Sequence, residues 1–266
     1  MDYFTRALIE AVLAGGLAGL VGVIVVVRDR AFFTMSLTHA TFPGAVAAVL
    51  LGIPPVLGAA AASLGLVGIA SGIGRMRAQG ASVASGIMLT TGFALGMLLQ
   101  SVSTTSVNVE SFLTGSILAT SNGQLVLTAT VLAASALALL LFGRRVVFES
   151  FDAAGYRAAG QKPIVIEMVV LLMISSTVVT LMPVVGSILA VALIVAPAAA
   201  AKQLTRSTTG MFFVAPIIGI AAGVIGLLAS RALEVSAGGA ITLTAALIYL
   251  LALLPWRRFR SMVKTS

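Results

Sequence analysis

The sequence contains one histidine, His39, and no cysteine among 266 residues. Any imidazole chemistry therefore rests on His39. Disulfides, iron–sulfur clusters and thiolate metal sites are excluded. His39 lies in Phe33-Thr34-Met35-Ser36-Leu37-Thr38-His39-Ala40. Met35 and His39 are four residues apart, so on a helix they share a face. An imidazole nitrogen and a thioether sulfur could both approach one metal ion, and the soft sulfur favours Cu(I) or a similar metal. A plainer arrangement fits the same spacing, with His39 hydrogen-bonded to another helix and Met35 filling a packing gap. Pro43-Gly44 interrupts the same apolar run, and Pro197 interrupts a later one. A proline frees a backbone carbonyl, and such breaks either line a pathway or simply kink the helix.

Other polar residues have ordinary and functional readings side by side. Thr90, Thr91 and Gln100 could line a polar path, or their side chains could bond their own helix backbone. Glu110 and Glu167 are expected to be solvated or snorkelled carboxylates. Residues 151–163 begin with Phe151-Asp152, include Gly155, Arg157 and Gly160, and end on a proline. This pattern predicts a short amphipathic helix that either docks a partner protein or lies on lipid. No phosphate-binding glycine loop, nucleophile elbow or zinc-peptidase motif is present.

The elements that must position these residues are set by composition. The chain is 59% hydrophobic and 9% charged, and its mean hydropathy is +1.14. A soluble domain carries about 25% charged residues, so the chain is expected to be an integral membrane protein. Asp2, Arg6 and Glu10 interrupt any signal-peptide pattern at the start. Nine apolar runs follow, at about 11–27, 36–51, 56–74, 81–101, 124–142, 164–182, 186–201, 210–230 and 239–254. The second and seventh are short, so eight crossings are the alternative. These runs lack the alternation of barrel strands, so the fold class is an all-α polytopic membrane bundle forming one transmembrane domain over 1–266.

The formal charge of +8 reads as membrane topology rather than nucleic-acid binding. With nine crossings and the N-terminus outside, every Lys and Arg except Arg6 and Arg231 falls on the cytoplasmic side. The C-terminus is then cytoplasmic. Glycines at four-residue spacing, Gly15/Gly19, Gly68/Gly72, Gly92/Gly96 and Gly219/Gly223, are expected to let helices approach closely in lipid. There is no soluble domain of useful size, so ATP energy would have to come from a separate chain. An ion-coupled carrier would instead need buried acidic residues at mid-membrane, and the sequence places none clearly there.

Several segments resemble the ABC-3 family, the permease subunits of manganese, zinc and iron ABC importers. Residues 35–44, Met-Ser-Leu-Thr-His-Ala-Thr-Phe-Pro-Gly, resemble the family's Asp-Ala-Leu-Ser-His-Ala-x-x-Pro-Gly. Residues 86–98 resemble the fourth membrane segment of the manganese branch. Residues 112–118 are similar to its outer-loop Phe-Gly-x-Leu pattern, and 191–207 to its Leu-Leu-Ile-Ile-Pro-Ala-Ala-Thr-Ala segment. Phe151-Asp152 and the helix after them resemble the element that couples to the ATPase.

The resemblance implies a type II importer-like homodimer with two cytoplasmic ATP-binding subunits and an extracytoplasmic metal-binding protein. It implies no cofactor and no covalent chemistry in this chain. His39 becomes a pathway ligand and 151–163 a coupling helix. Two departures matter. The family's metal-site aspartate aligns with Met35, and zinc members often carry a second histidine where this chain has Thr90. A carboxylate suits Mn²⁺ and a thioether does not. The cargo is then a softer metal or not a free metal ion, or else Thr38 or backbone carbonyls supply the oxygen. Glu110 could replace the aspartate only if its loop folds inward.

Overall fold

The computed structural model describes residues 2–73, 81–102 and 115–263. Its helices are α1 (Tyr3–Val27), α2 (Ala31–Ala40), α3 (Phe42–Leu50), α4 (Pro55–Ile73) and α5 (Ala81–Val102). A 3₁₀ turn at Ile117–Ala119 leads into α6 (Asn122–Phe151), the short α7 (Ala153–Ala158) and α8 (Pro163–Val185). The chain finishes with α9 (Ser187–Leu204), α10 (Thr208–Leu233) and α11 (Ala237–Val263). Among the described residues there is no strand. In lipid a helix satisfies its own backbone groups, which is why long apolar runs adopt it.

Each of the nine apolar runs corresponds to helix. Seven spans are long and apolar enough to cross a membrane, and the α4 and α9 segments add two shorter apolar helices. The second run starts earlier than the sequence suggested, at Ala31, and is split into α2 and α3 at Thr41. Pro43 sits in the first turn of α3. There the N–H it lacks would have had no helical partner in α3, so the proline starts a helix rather than distorting one.

The bundle is built around α1, which is mostly buried. It packs chiefly on α10 and also on α9, α6 and α8. The α1–α10 crossing is made by two of the glycine pairs. A Cβ on Gly15 would overlap the Gly219 carbonyl, a Cβ on Gly219 would overlap the Gly15 carbonyl, and Gly19 meets the Ala215 backbone in the same way. Backbone here lies on backbone, as small residues permit in a membrane. Gly92 and Gly96 do the same for α5, against Ala40 and Phe42. Gly68 does not follow the pattern, because a Cβ there would meet nothing within 4 Å among the described residues. The long α6 is largely exposed, leaving an apolar face for lipid or another chain.

Candidate functional site

His39 is the next-to-last residue of α2, one turn after Met35. The helix packs on α5, α8 and α9, with Leu37, Thr38 and Ala40 buried and His39 half-buried. Nδ1 of His39 lies 3.0 Å from the Met35 carbonyl oxygen and 3.1 Å from Thr38 Oγ1. The Thr38 hydroxyl donates to that same carbonyl at 2.7 Å. A carbonyl can only accept, so Nδ1 carries the proton and donates to it. Nε2 is then left with its lone pair, the state a metal ligand needs. The Phe93 ring meets the imidazole edge-on at 6.0 Å between centroids and stacks on Phe42 at 6.1 Å. Gly92 and Gly96 are what let α5 bring Phe93 this close.

Met35 is 42% exposed, and its helical position puts it on the His39 face. The local oxygen atoms are largely engaged. Thr38 Oγ1 and the Met35 carbonyl hold Nδ1, while Thr41 Oγ1 donates to the Thr38 carbonyl at 3.1 Å. Thr90 donates back to the Gly86 and Ile87 carbonyls of its own helix, the ordinary role for a helical hydroxyl. Pro43 and Pro197 are both buried. Pro43 has no N–H to offer the His39 carbonyl four residues earlier. Pro197 lies inside α9, whose neighbouring backbone at Ile194 touches α1 at Gly22. Among the described residues no three His, Asp or Glu side chains cluster closely enough to hold a metal. Glu110 and residues 112–114 of the outer-loop pattern lie outside the described residues, as do Arg75, Arg77 and Lys264.

The second candidate element is α7. Asp152 caps it, accepting from the Gly155 N–H at 2.7 Å. Arg157 is in its last turn, and Gly160 follows with φ +72°. Tyr156 is the buried anchor and meets Phe148 edge-on at 5.6 Å. Phe151 and Arg157 are exposed. The segment is a tethered helix with its outer surface open.

Sequence reasoning missed two polar clusters. Glu167 is not a solvated carboxylate, because it binds Arg28 at 3.0 Å and Arg30 at 2.7 Å. Arg28 also pairs with Glu149. The available signal was that Arg28 and Glu149 follow the ends of their runs and Arg30 and Glu167 stand near the starts of theirs, which an alternating topology brings to one side. Nor is the interior free of acid. Glu10 is fully buried in α1, where it accepts from Thr128 of α6 at 2.6 Å. Its other oxygen has no hydrogen-bond partner among the described residues.

Known proteins place this architecture. The ABC 3 transport family model matches residues 1–255. The chain is 31% identical to the "Manganese import system permease protein ScaB" of Streptococcus gordonii, over 93% of this chain and 89% of that one. It is 28% identical to a "Probable iron transport system membrane protein" of Haemophilus influenzae, over 95% of this chain and 90% of the relative. The solved structure "PsaBC from Streptococcus pneumoniae in complex with Fab" superposes with a TM-score of 0.85 at 30% identity. It covers 95% of this chain and 91% of that one. With its multi-helix membrane bundle and a match along nearly the whole sequence, the chain belongs to the ABC 3 transport family.

Proposed function

We propose that the chain is the permease subunit of an ABC importer that moves a divalent transition metal ion inward. It forms one permease domain and works as a homodimer in the cytoplasmic membrane, with the N-terminus outside and the C-terminus in the cytoplasm. Cytoplasmic ATP-binding subunits dock on α7, and an extracytoplasmic binding protein delivers the ion. The observation that carries this reading is His39, whose Nδ1 is held by Met35 and Thr38 so that Nε2 stays available as a ligand. Relatives named for manganese and iron transport support the cargo class.

One imidazole and one thioether per chain make a weak, transient site, which suits transport because the ion must leave again. Two copies facing one path would double the donors. Thr38, Pro43, Pro197 and Thr90 flank that path. The coupling surface is Phe151, Asp152, Gly155, Arg157 and Gly160. The test is uptake of Mn²⁺ into vesicles holding the permease, its ATPase and its binding protein. His39→Ala should lower uptake at least about tenfold, since losing even an outer-shell partner of a metal ligand costs that much, with the complex still assembled. Unchanged uptake would remove His39 from the site.

Met35 supports a second reading, a softer metal or a non-metal cargo, because a thioether stands where the family's carboxylate would be. Met35→Asp separates the two. Improved Mn²⁺ uptake favours the hard-ion path, and no effect favours another cargo.

A further inference from the structure

Four charges meet where α1 ends and α2 begins. Arg28 Nη2 is shared between Glu149 and Glu167, the latter at 3.0 Å, and Arg30 Nη2 holds the other Glu167 oxygen at 2.7 Å. The Arg28 and Glu149 side chains are only 7% and 11% exposed. Two cations balance two anions. The four residues tie four elements together: Arg28 follows α1, Arg30 precedes α2, Glu149 lies in the last turn of α6, and Glu167 lies near the start of α8.

The helices α6 and α8 are the two that α7 joins. Glu149 stands three residues before the Asp152 cap, and Glu167 stands four residues after the proline that opens α8. A push on α7 therefore reaches Glu149 across the single residue Asp152, and Glu167 across the short turn 159–162 and the first turn of α8. On the other side, Arg30 leads directly into α2, and Thr34 Oγ1 bonds the Arg30 carbonyl at 2.9 Å. The helix α2 has ten residues, a rigid rod of about 15 Å, and His39 is at its far end. Buried ion pairs add little net stability over apolar packing, so a role in specifying arrangement is the better account of them. Arg28 Nη1 is buried without a partner among the described residues, so the present arrangement leaves a donor for another one.

We propose that the cluster of Arg28, Arg30, Glu149 and Glu167 is the link that carries displacement of α7 along α2 to His39. These are positioning residues that act through α2 and touch no cargo. The inference rests on the reading of α7 as the ATPase-docking element.

The chain has no cysteine, so single thiols report cleanly. Met35→Cys places one on α2 beside His39, and Ala158→Cys places one at the end of α7. Each is introduced into the full permease bound to its ATPase, and its maleimide reaction rate is compared with and without ATP plus vanadate. In the otherwise native cluster both rates are expected to change on trapping, by about tenfold for a two-state switch that moves most of the population. In Arg30→Gln and Glu167→Gln the change at residue 158 should persist while the change at residue 35 is lost. Arg30→Lys, which keeps the charge, should restore much of it. A full response at residue 35 in both Gln variants overturns the link. So does loss of both responses together, which marks a merely structural role. If residue 158 fails to respond even with the native cluster, the docking role of α7 falls, and the link falls with it for that separate reason.

Discussion

At the scale of single residues, the arrangement around His39 is one of orientation. Thr38 and the Met35 carbonyl share the Nδ1 proton, so removing the hydroxyl weakens the hold without deleting the ligand. Thr38→Val should lower metal uptake about tenfold, the low end of the loss for outer-shell partners of a ligating histidine because the Met35 carbonyl still holds Nδ1, and by less than His39→Ala. Paired vesicle uptake assays on the two variants check the order. Glu10 makes a different demand. Among the described residues its one hydrogen-bond partner is Thr128, at 2.6 Å in a fully buried site. Thr128→Val should destabilise the permease by about 1–3 kcal/mol, the cost of leaving a buried polar group unmet, read as a lower thermal midpoint in detergent. The position of His39 and its shared face with Met35 were legible from spacing alone. Glu10 was not, because its burial depends on a residue 118 positions away. The pairing of Glu167 was hidden for the same reason.

At the scale of elements, the nine apolar runs were legible because lipid leaves an apolar segment little choice but helix. The break at Thr41 and the early start of α2 were less so, since Arg28 and Arg30 look like a loop until their carboxylate partners are known. The glycine spacing was legible as a tendency and not as a partner choice. Gly15 and Gly219 meet each other, whereas a Cβ on Gly68 would meet no atom of the described residues within 4 Å. The contrast is testable. Gly219→Ala forces backbone away from backbone in the α1–α10 crossing and should cost about 1–3 kcal/mol. Gly68→Ala should cost nothing measurable, and thermal midpoints in one detergent compare them directly. Asp152 offers a third test at this scale. It caps α7 through the Gly155 N–H, so Asp152→Ala should loosen α7 by about 1 kcal/mol. The expected result is weaker copurification of the ATPase with no change in the thermal midpoint of the bundle.

At the scale of the whole molecule, the topology turns on α9. The helices α8 and α9 are separated by Gly186 alone, at φ +95°, so the helical path breaks there without a loop. The helix α9 has 18 residues and contains Pro197, giving about 27 Å against a hydrocarbon core of about 30 Å. If it crosses, α8, α9 and α10 make three passes between residue 158 and residue 235, and those positions lie on opposite faces. If it does not cross, they share a face, and the basic residues Lys202 and Arg206 move outside, against the inside-positive bias. Its packing on α1, α10 and α11 favours a full pass, because a helix with so many neighbours is screened from lipid and tolerates a short span. Both test positions are exposed, and no native thiol competes. In intact cells a membrane-impermeant maleimide should label Val235→Cys and leave Ala158→Cys untouched until the membrane is permeabilised. Protection of both until the membrane is permeabilised would reduce the count to eight and put Lys202 and Arg206 outside, against the inside-positive bias. Labelling of Ala158→Cys in intact cells would overturn the orientation itself, and α7 would lose its access to a cytoplasmic ATPase.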